Sequence, residues 1–307
     1  MLSHRTTRTG TLLALLAALL TAGAAAAHDA KPGAARSAAA PSAPTPIVFP
    51  LLGRVTYGDD FGDGRANGAH AGNDIVGDWR APVVAAEAGR VTYWTTSSRA
   101  GCMLYLHGAS GTTYLYIHLN NDRTPRRDNR GRCELGTAYA VEDGARVEAG
   151  EQIAYNGDSG DAEGTYHVHF EVHPGGGAAV NPFPYLNAAA RHLFPARVGA
   201  RFALGLRGVP VAAGNDRLEL RADAVRWWPG GRWTPVDPRV VTLAVPQEAA
   251  MDKAILDLVA LPERRVLQSR QAGRLTVVTV PAKATAEALR GEPGALTAAR
   301  ISPATTP

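Results

Sequence analysis

Short runs of alternating apolar and polar residues, separated by glycine, make up most of the chain between residues 47 and 195. Runs of this length, with no long amphipathic segments between them, predict an antiparallel β domain. The predicted strands cover residues 83–87, 90–95, 103–107, 112–119, 152–155 and 166–173. A glycine-containing segment at 107–111 predicts a hairpin turn, and residues 181–194 predict a short closing helix.

A second, smaller domain is predicted from residue 196 to residue 307. Its strand candidates are 201–206, 217–220, 224–228, 239–245 and 275–280, with a turn at 228–233 and a helical apolar spacing at 248–261. The pattern indicates a β-containing (α+β) domain without a chemical motif. Its tryptophans Trp227, Trp228 and Trp233 fit either a sugar-stacking platform or the core of a small β unit.

The N-terminal segment has the pattern of a secretory signal peptide. An apolar run at 12–20 follows Arg5 and Arg8 and leads to small residues at 25–27, and it is too short to span a bilayer. Residues 1–27 are therefore predicted to be a signal peptide, and the chain is predicted to be exported, to a secreted, periplasmic or cell-wall location. Residues 28–46 are rich in Ala, Pro and Ser and predict a tether.

Composition limits the class of protein, and charge limits the kind of binding partner. The 307 residues are 45% hydrophobic and 20% charged, which is typical of a globular protein and excludes a largely disordered one. The net charge of +4 falls to +2 without Arg5 and Arg8, so it gives no argument for a nucleic-acid partner. Residues 196–307 carry 16 basic and 10 acidic side chains, which fits either contact with anionic wall polymers or a solvated surface.

The two cysteines, Cys102 and Cys133, are read in the light of the predicted export. An even number of cysteines in an oxidising compartment favours a disulfide. Zinc binding is the alternative, but neither cysteine belongs to a C-x-x-C pair. A bridge would tie down residues 120–140, which interrupt the strand rhythm and predict a long surface insertion.

Three short patterns bring together histidine and carboxylate side chains. They are an H-x-G-x-D from His70 to Asp74, a Y-L-Y-I-H ending at His118, and an H-V-H-F-E that begins with His167 and His169. In a strand, His167 and His169 share a face, so one imidazole is able to bind a metal while the other reaches a substrate. The same alternation predicts that His118 shares a face with Tyr116 and that Ile117 turns inward.

Two imidazoles and one carboxylate would give a metal three protein ligands. A tetrahedral zinc ion would then keep its fourth position for water, which is the mark of a catalytic zinc site. Each pattern alone is weak evidence, but the three together in a β-rich exported chain favour such a site.

With their neighbours, these motifs resemble the lysostaphin-type zinc metalloendopeptidases, a family that cuts peptidoglycan peptides. The resemblance covers about residues 49–186 and includes F-G-D-G-R at 61–65, A-P-V-V-A-A at 81–86, A-G-R-V at 88–91, the segment 144–154 and G-D-S-G at 157–160. The chain differs from the family pattern at Asn73, where an aliphatic residue is usual, at Val168, where Leu is common, and in the length of 120–140.

The resemblance implies that His70, Asp74 and His169 bind one zinc ion and that His118 and His167 form a catalytic pair beside it. It implies an exported enzyme that hydrolyses peptide bonds in peptidoglycan stems or cross-bridges. A peptidoglycan-binding scaffold that has lost catalysis and regulates other wall hydrolases is the alternative from another class. Retention of all five residues favours the enzyme.

Overall fold

A computed structural model of the chain describes residues 46–66, 68–94, 98–125, 131–162, 164–268 and 273–304. The predicted signal peptide at 1–27 and the predicted tether at 28–46, apart from its last residue, lie outside the described residues. The described residues, from 46 onward, belong to one compact unit. In the part of the chain that is described, no helix is long and apolar enough to span a membrane.

The first half of the chain folds into short strands and one helix. The elements are β1 (Val55–Thr56), β2 (Gly64–Arg65), β3 (Gly68–Ala69), β4 (Asn73–Gly77), β5 (Pro82–Val84), β6 (Gly89–Trp94), β7 (Cys102–Gly108), β8 (Thr113–Leu119), β9 (Arg146–Val147), β10 (Gln152–Tyr155), β11 (His167–His173) and α1 (Phe183–Ala188). Seven of them form one sheet in the order β1-β4-β11-β8-β7-β6-β9, in which every neighbouring pair is antiparallel. The mainly β, antiparallel fold predicted from the sequence is confirmed.

The second half has longer strands. Its elements are β12 (Arg201–Phe202), β13 (Leu204–Gly214), β14 (Arg217–Trp227), β15 (Thr234–Ala244), α2 (Lys253–Val259), β16 (Arg265–Val266), β17 (Leu275–Thr279), β18 (Ala282–Lys283), α3 (Ala286–Arg290) and β19 (Leu296–Pro303). The pairings of β13, β14, β15, β19 and β17 close into a ring. The sequence pattern did not predict α3 or β19, and it divided β14 into two strands.

Each half of the chain has its own large hydrophobic cluster. One lies among residues 47–186 and is centred on the face of the large sheet that carries Tyr116 and Phe170. The other lies among residues 193–301, inside the ring of strands. The domain boundary at residue 195 falls near the change from one cluster to the other and stays a prediction.

The disulfide favoured by the sequence is formed, because Cys102 and Cys133 are bonded. Residues 120–140 are not simply a surface insertion, however. Tyr139 is fully buried and stacks on Tyr93, with ring centroids 3.6 Å apart, and Asn120 is also fully buried. The surface prediction was wrong for both ends of the segment because aromatic and amide groups anchor them in the core.

The disulfide is expected to stabilise the fold. Replacing both Cys102 and Cys133 by serine should lower the free energy of unfolding by about 2–4 kcal/mol, because the bridge closes a loop between residues 31 apart in sequence. Urea unfolding of the oxidised protein and the double variant measures the difference. Equal free energies of unfolding would contradict the expectation, and adding a reductant to the parent should reproduce the loss.

Candidate metal centre

Three side chains meet on the open face of the large sheet. His70 lies just before β4, Asp74 lies on β4, and His169 lies opposite Asp74 on β11. His70 Nε2 is 2.8 Å from His169 Nδ1, and Asp74 Oδ1 is 3.1 Å from each of these nitrogens. The antiparallel register therefore brings together residues about a hundred positions apart.

The other polar atom of each side chain is held by a neighbour. His70 Nδ1 lies 2.8 Å from the carbonyl oxygen of Asp60, and Asp74 Oδ2 accepts a hydrogen bond of 2.9 Å from Arg65. His169 Nε2 lies 3.0 Å from Glu171 Oε1. Because a carbonyl only accepts hydrogen bonds, His70 Nδ1 carries the proton. The lone pair of His70 Nε2 then points toward Asp74 Oδ1 and His169 Nδ1.

This donor set fits a divalent transition-metal ion. Two imidazole nitrogens and one carboxylate oxygen suit zinc and similar ions, and outer partners such as Glu171 commonly orient ligand imidazoles. The triad His70, Asp74 and His169 also forms a group with metal-binding geometry among the described residues. The structure thus brings together the three residues that the sequence predicted as ligands.

Hydrogen bonds and neighbouring charges shift the pKa values of Asp74 and His169. Burial alone would raise the pKa of Asp74, but the hydrogen bond with His169 and the charges of His167 and His70 hold that pKa well below its usual range. Burial would lower the pKa of His169, but its hydrogen bonds with Asp74 and Glu171 raise the pKa to about 9. The carboxylate is therefore ionised, as a metal ligand must be, whereas His169 has to release a proton when a metal binds.

Glu171 links His169 of the cluster to a further histidine, His173. It is buried, and its two carboxylate oxygens lie 3.0 Å from His169 Nε2 and 2.6 Å from His173 Nε2. His173 Nδ1 in turn lies 2.8 Å from the carbonyl oxygen of Gly177. The buried Glu171 therefore links His169 to His173, a contact that no spacing in the sequence indicated.

Gly72 allows β4 and β11 to approach each other beside His169. A Cβ atom at Gly72 would lie 2.5 Å from the carbonyl oxygen of Phe170 and 2.8 Å from His169 Nε2. Both distances are shorter than any ordinary van der Waals contact. The glycine of the H-x-G-x-D pattern is therefore required for space.

We expect Gly72→Ala to weaken metal binding by at least about tenfold, because the methyl group must displace the His169 ring or the Phe170 backbone. Metal affinity is measured by competition with a chromogenic chelator. Gly64→Ala is the matched control, since a Cβ atom there meets nothing within 4 Å. Equal affinities for the two variants would show that the site tolerates the methyl group.

The position of His118 corrects the strand-alternation prediction. Tyr116, predicted to share its face, is fully buried in the core, where its hydroxyl accepts a hydrogen bond from the backbone of Ala86. Ile117 lies opposite His169 in the register and lines the cleft instead of turning inward. His118 reaches the same cleft because its φ of 62° breaks the alternation of side chains near the end of β8.

His118 and His167 lie side by side next to the donor cluster. Their ring centroids are 4.8 Å apart, and His167 Nε2 is 3.6 Å from Asp74 Oδ1. The Nδ1 atoms of the two histidines lie 2.9 Å and 3.0 Å from the carbonyl oxygens of Ser159 and Thr165. Both rings therefore carry a proton on Nδ1 and leave Nε2 as the atom available for proton transfer.

Burial and the neighbouring charge of His167 lower the pKa of His118 to about 4. The hydrogen bond with Ser159 opposes this shift but does not cancel it. At neutral pH His118 is consequently a neutral imidazole. It is therefore able to accept a proton without first losing one.

Asn73, the departure from the family pattern, has a definite role in the loop before β4. It is fully buried, and its Nδ2 donates to the carbonyl oxygen of Gly58 at 2.6 Å and to Asp60 Oδ1 at 2.5 Å. Since the backbone carbonyl of Asp60 holds His70, Asn73 secures the support of a ligand. An aliphatic side chain at this position makes no such bonds.

Three polar residues near the site were not singled out from the sequence. Arg65 bonds Asp74, Asp60 supports His70, and Asp161 Oδ1 lies 3.8 Å from His118 Nε2. Arg65 lies in the F-G-D-G-R run, but no spacing in the sequence indicated any of these contacts.

The five predicted residues line one open cleft of about 540 Å³. Its walls combine Arg65, Arg99, Asp161 and Glu171 with alanines at positions 66, 69, 71, 100 and 162. A cleft walled by such short side chains leaves room for an extended chain.

Comparison with known proteins gives matches among solved structures. No protein-family model and no curated protein matches the chain. The catalytic domain of lysostaphin from Staphylococcus simulans is 24% identical, with a TM-score of 0.34, and the match covers 43% of this chain and 92% of that domain.

Two further structures show a similar partial match. A Ruminococcus gnavus protein, provisionally assigned as the glycyl-glycine endopeptidase lytM, is 24% identical over 48% of this chain and 63% of its own, with a TM-score of 0.37. LytU is 26% identical over 44% of this chain and 86% of its own, with a TM-score of 0.35. The structural neighbours are lysostaphin-type peptidase domains, the family that the sequence motifs indicated, and the likeness covers less than half of the chain.

Proposed function

We propose that this protein is an exported zinc metalloendopeptidase that hydrolyses peptide bonds in the stems or cross-bridges of peptidoglycan. The observation that supports it most is the meeting of His70 Nε2, Asp74 Oδ1 and His169 Nδ1 within 2.8–3.1 Å, beside two further imidazoles. A metal-storage site would need the first three side chains but not His118 and His167.

In this proposal, His70, Asp74 and His169 hold the metal. A zinc ion bound there supplies a Lewis acid and lowers the pKa of water toward about 7. Arg65 and Glu171 keep Asp74 and His169 in the orientation that presents one oxygen and one nitrogen to the centre.

His118 and His167 would carry the proton chemistry of peptide hydrolysis. A neutral Nε2 accepts the proton of the attacking water, and a protonated imidazole stabilises the oxyanion or returns a proton to the leaving amine. The pKa of about 4 keeps the His118 imidazole neutral at neutral pH, with its Nε2 lone pair available to accept a proton. His167 lies beside the donor cluster, with its Nε2 3.6 Å from Asp74 Oδ1.

The shape and lining of the cleft support the proposed substrate class. Its open shape and its alanine-rich walls suit an extended peptide of small residues, which is the composition of peptidoglycan stems and bridges. The proposed export places the enzyme in the compartment that contains this polymer. The net charge of +6 in residues 196–307 would favour contact with anionic wall polymers.

The deciding experiment is digestion of purified peptidoglycan, followed by mass spectrometry of the muropeptides. The expected result is new amino termini at one type of peptide bond, loss of cleavage with a chelator and recovery on adding zinc. The control is the His167→Ala variant on the same preparation. Stoichiometric zinc binding without cleavage of any wall preparation would overturn the proposed enzyme and favour the regulatory scaffold.

A further inference from the structure

A second cavity, larger than the metal-site cleft, lies between the large sheet and the ring of strands. Its volume is about 930 Å³, within the range of sites that bind small ligands. Aromatic residues line it from both halves of the chain: Trp79, Tyr155 and Tyr166 from the first half and Trp227 and Trp233 from the second. The proposed peptide hydrolysis uses none of these residues.

The cavity is adjacent to the metal site. Thr165 and Tyr166 line it and directly precede His167, whose Nδ1 lies 3.0 Å from the Thr165 carbonyl oxygen. Val76 also lines it, is 41% exposed, and pairs with His167 across β4 and β11. Since Asp74 and Val76 share the open face of β4, a ligand that fills the cavity lies next to the face that carries His167 and the donor cluster.

The tryptophans at the turn between β14 and β15 differ in what covers them. The guanidinium of Arg226 lies 4.7 Å from the ring of Trp228 and 4.5 Å from the ring of Trp233, and Arg207 lies 4.3 Å from Trp233. These cation–π contacts occupy ring faces of both tryptophans. Trp227 is 37% exposed, and its only recorded ring contact in the described chain is edge-on with Phe194.

The charged residues of the cavity wall are mainly basic. Arg80, Arg226 and Arg232 line it, opposed by Asp78. Arg80 is held by the carbonyls of Gly136 and Thr137, whereas exposed Arg232 has no hydrogen bond or ion pair with the described residues. A ligand suited to this wall combines apolar ring faces, which stack on aromatic rings, with a negatively charged substituent.

We infer that this cavity binds the glycan strand of peptidoglycan, with a sugar ring stacked on Trp227 and the free carboxylate of a sugar that carries no peptide near Arg232. The inference rests on the proposed function, because a strand held here places its attached peptide beside His167. A polymer of phosphates would use the arginines but has no ring face for Trp227, so the aromatic lining favours the glycan. The cavity volume accommodates a ligand about the size of a disaccharide.

The test is binding of peptide-free glycan strands to the full chain, measured by calorimetry. The parent protein is expected to bind, and Trp227→Ala is expected to weaken binding by about tenfold, as removal of a central aromatic anchor does. Trp227→Phe should restore part of the affinity. Trp94→Ala is the matched control, because Trp94 is 46% exposed on β6 and does not line the cavity.

Arg232→Ser provides a second variant if Trp227→Ala fails to fold, and it should weaken binding of strands that carry an acidic substituent more than binding of neutral chitooligosaccharides. Absence of glycan binding by the parent, or an equal affinity of Trp227→Ala and Trp94→Ala, would overturn the inference. Equally tight binding of poly(glycerol phosphate) would assign the cavity to anionic polymers instead.

Hydrolysis assays separate this inference from the proposed function. On a short cross-linked peptide without sugar, Trp227→Ala should match the parent, whereas on intact peptidoglycan its KM should rise about tenfold with kcat unchanged. Glycan binding without hydrolysis by the parent would leave the inference standing and remove the proposed enzyme. If the parent hydrolysed both substrates and Trp227→Ala matched it on both, the proposed enzyme would stand and the inference would be overturned.

Discussion

Replacing His169 by alanine is expected to abolish metal binding and, with it, hydrolysis. His169 Nδ1 lies 2.8 Å from His70 Nε2 and 3.1 Å from Asp74 Oδ1, so its loss leaves two ligands and an ionised carboxylate whose hydrogen-bonding partner has gone. Metal affinity should fall by more than about 100-fold, beyond the loss usual when only an outer partner of a ligand is removed. Chelator competition and metal analysis of the purified variant measure it.

The control for this experiment is His107→Ala. His107 is also a strand histidine, but it lies exposed on β7 and does not line the metal-site cleft. It should keep the metal affinity and the activity of the parent. If His169→Ala retained one tightly bound zinc ion, the assignment of His169 as a ligand would be wrong.

Replacing His167 or His118 by alanine is expected to preserve metal binding but to reduce the rate of hydrolysis. Each variant should bind one metal ion, because neither imidazole belongs to the donor triad. Each should lose about 10²–10⁴-fold in kcat, the usual contribution of a positioned acid or base. KM on the same peptide should change little, since the lost interactions act mainly in the transition state.

Metal analysis and steady-state kinetics on the same protein samples distinguish the two groups of histidines. Circular dichroism verifies that each variant is folded. If His167→Ala lost metal to the same extent as His169→Ala, the division into ligands and catalytic residues would be contradicted. A full kcat in either variant would remove that histidine from the proposed mechanism.

Local sequence patterns predicted β8 and β11 but missed β4, which carries Asp74. The H-V-H-F-E run forms β11 with His167 and His169 on the open face. Alternation works there because β11 is a regular central strand, paired on both sides. The apolar Val168 and Phe170 accordingly fill the core.

The same reasoning failed at His118 because the backbone there is not regular. A positive φ is not encoded by a local pattern of apolar and polar residues, and it occurs at a non-glycine residue only where surrounding contacts stabilise it. His118 Nδ1 lies 2.9 Å from the Ser159 carbonyl oxygen, and Ser159 Oγ accepts a hydrogen bond from the backbone of Cys102. These contacts join segments far apart in sequence.

By itself, the sequence determined the β class of the fold through strand periodicity and favoured the disulfide through its even cysteine count. The resemblance of its short motifs to a known family implied the three candidate ligands. Tertiary structure decided which atoms of those ligands face one another, how Asn73 and Arg65 support them, and that an aromatic cavity lies beside them. Those features depend on the register between β4 and β11 and on the packing of two distant halves of the chain. Distances between remote segments follow from the whole fold, not from any single run of residues.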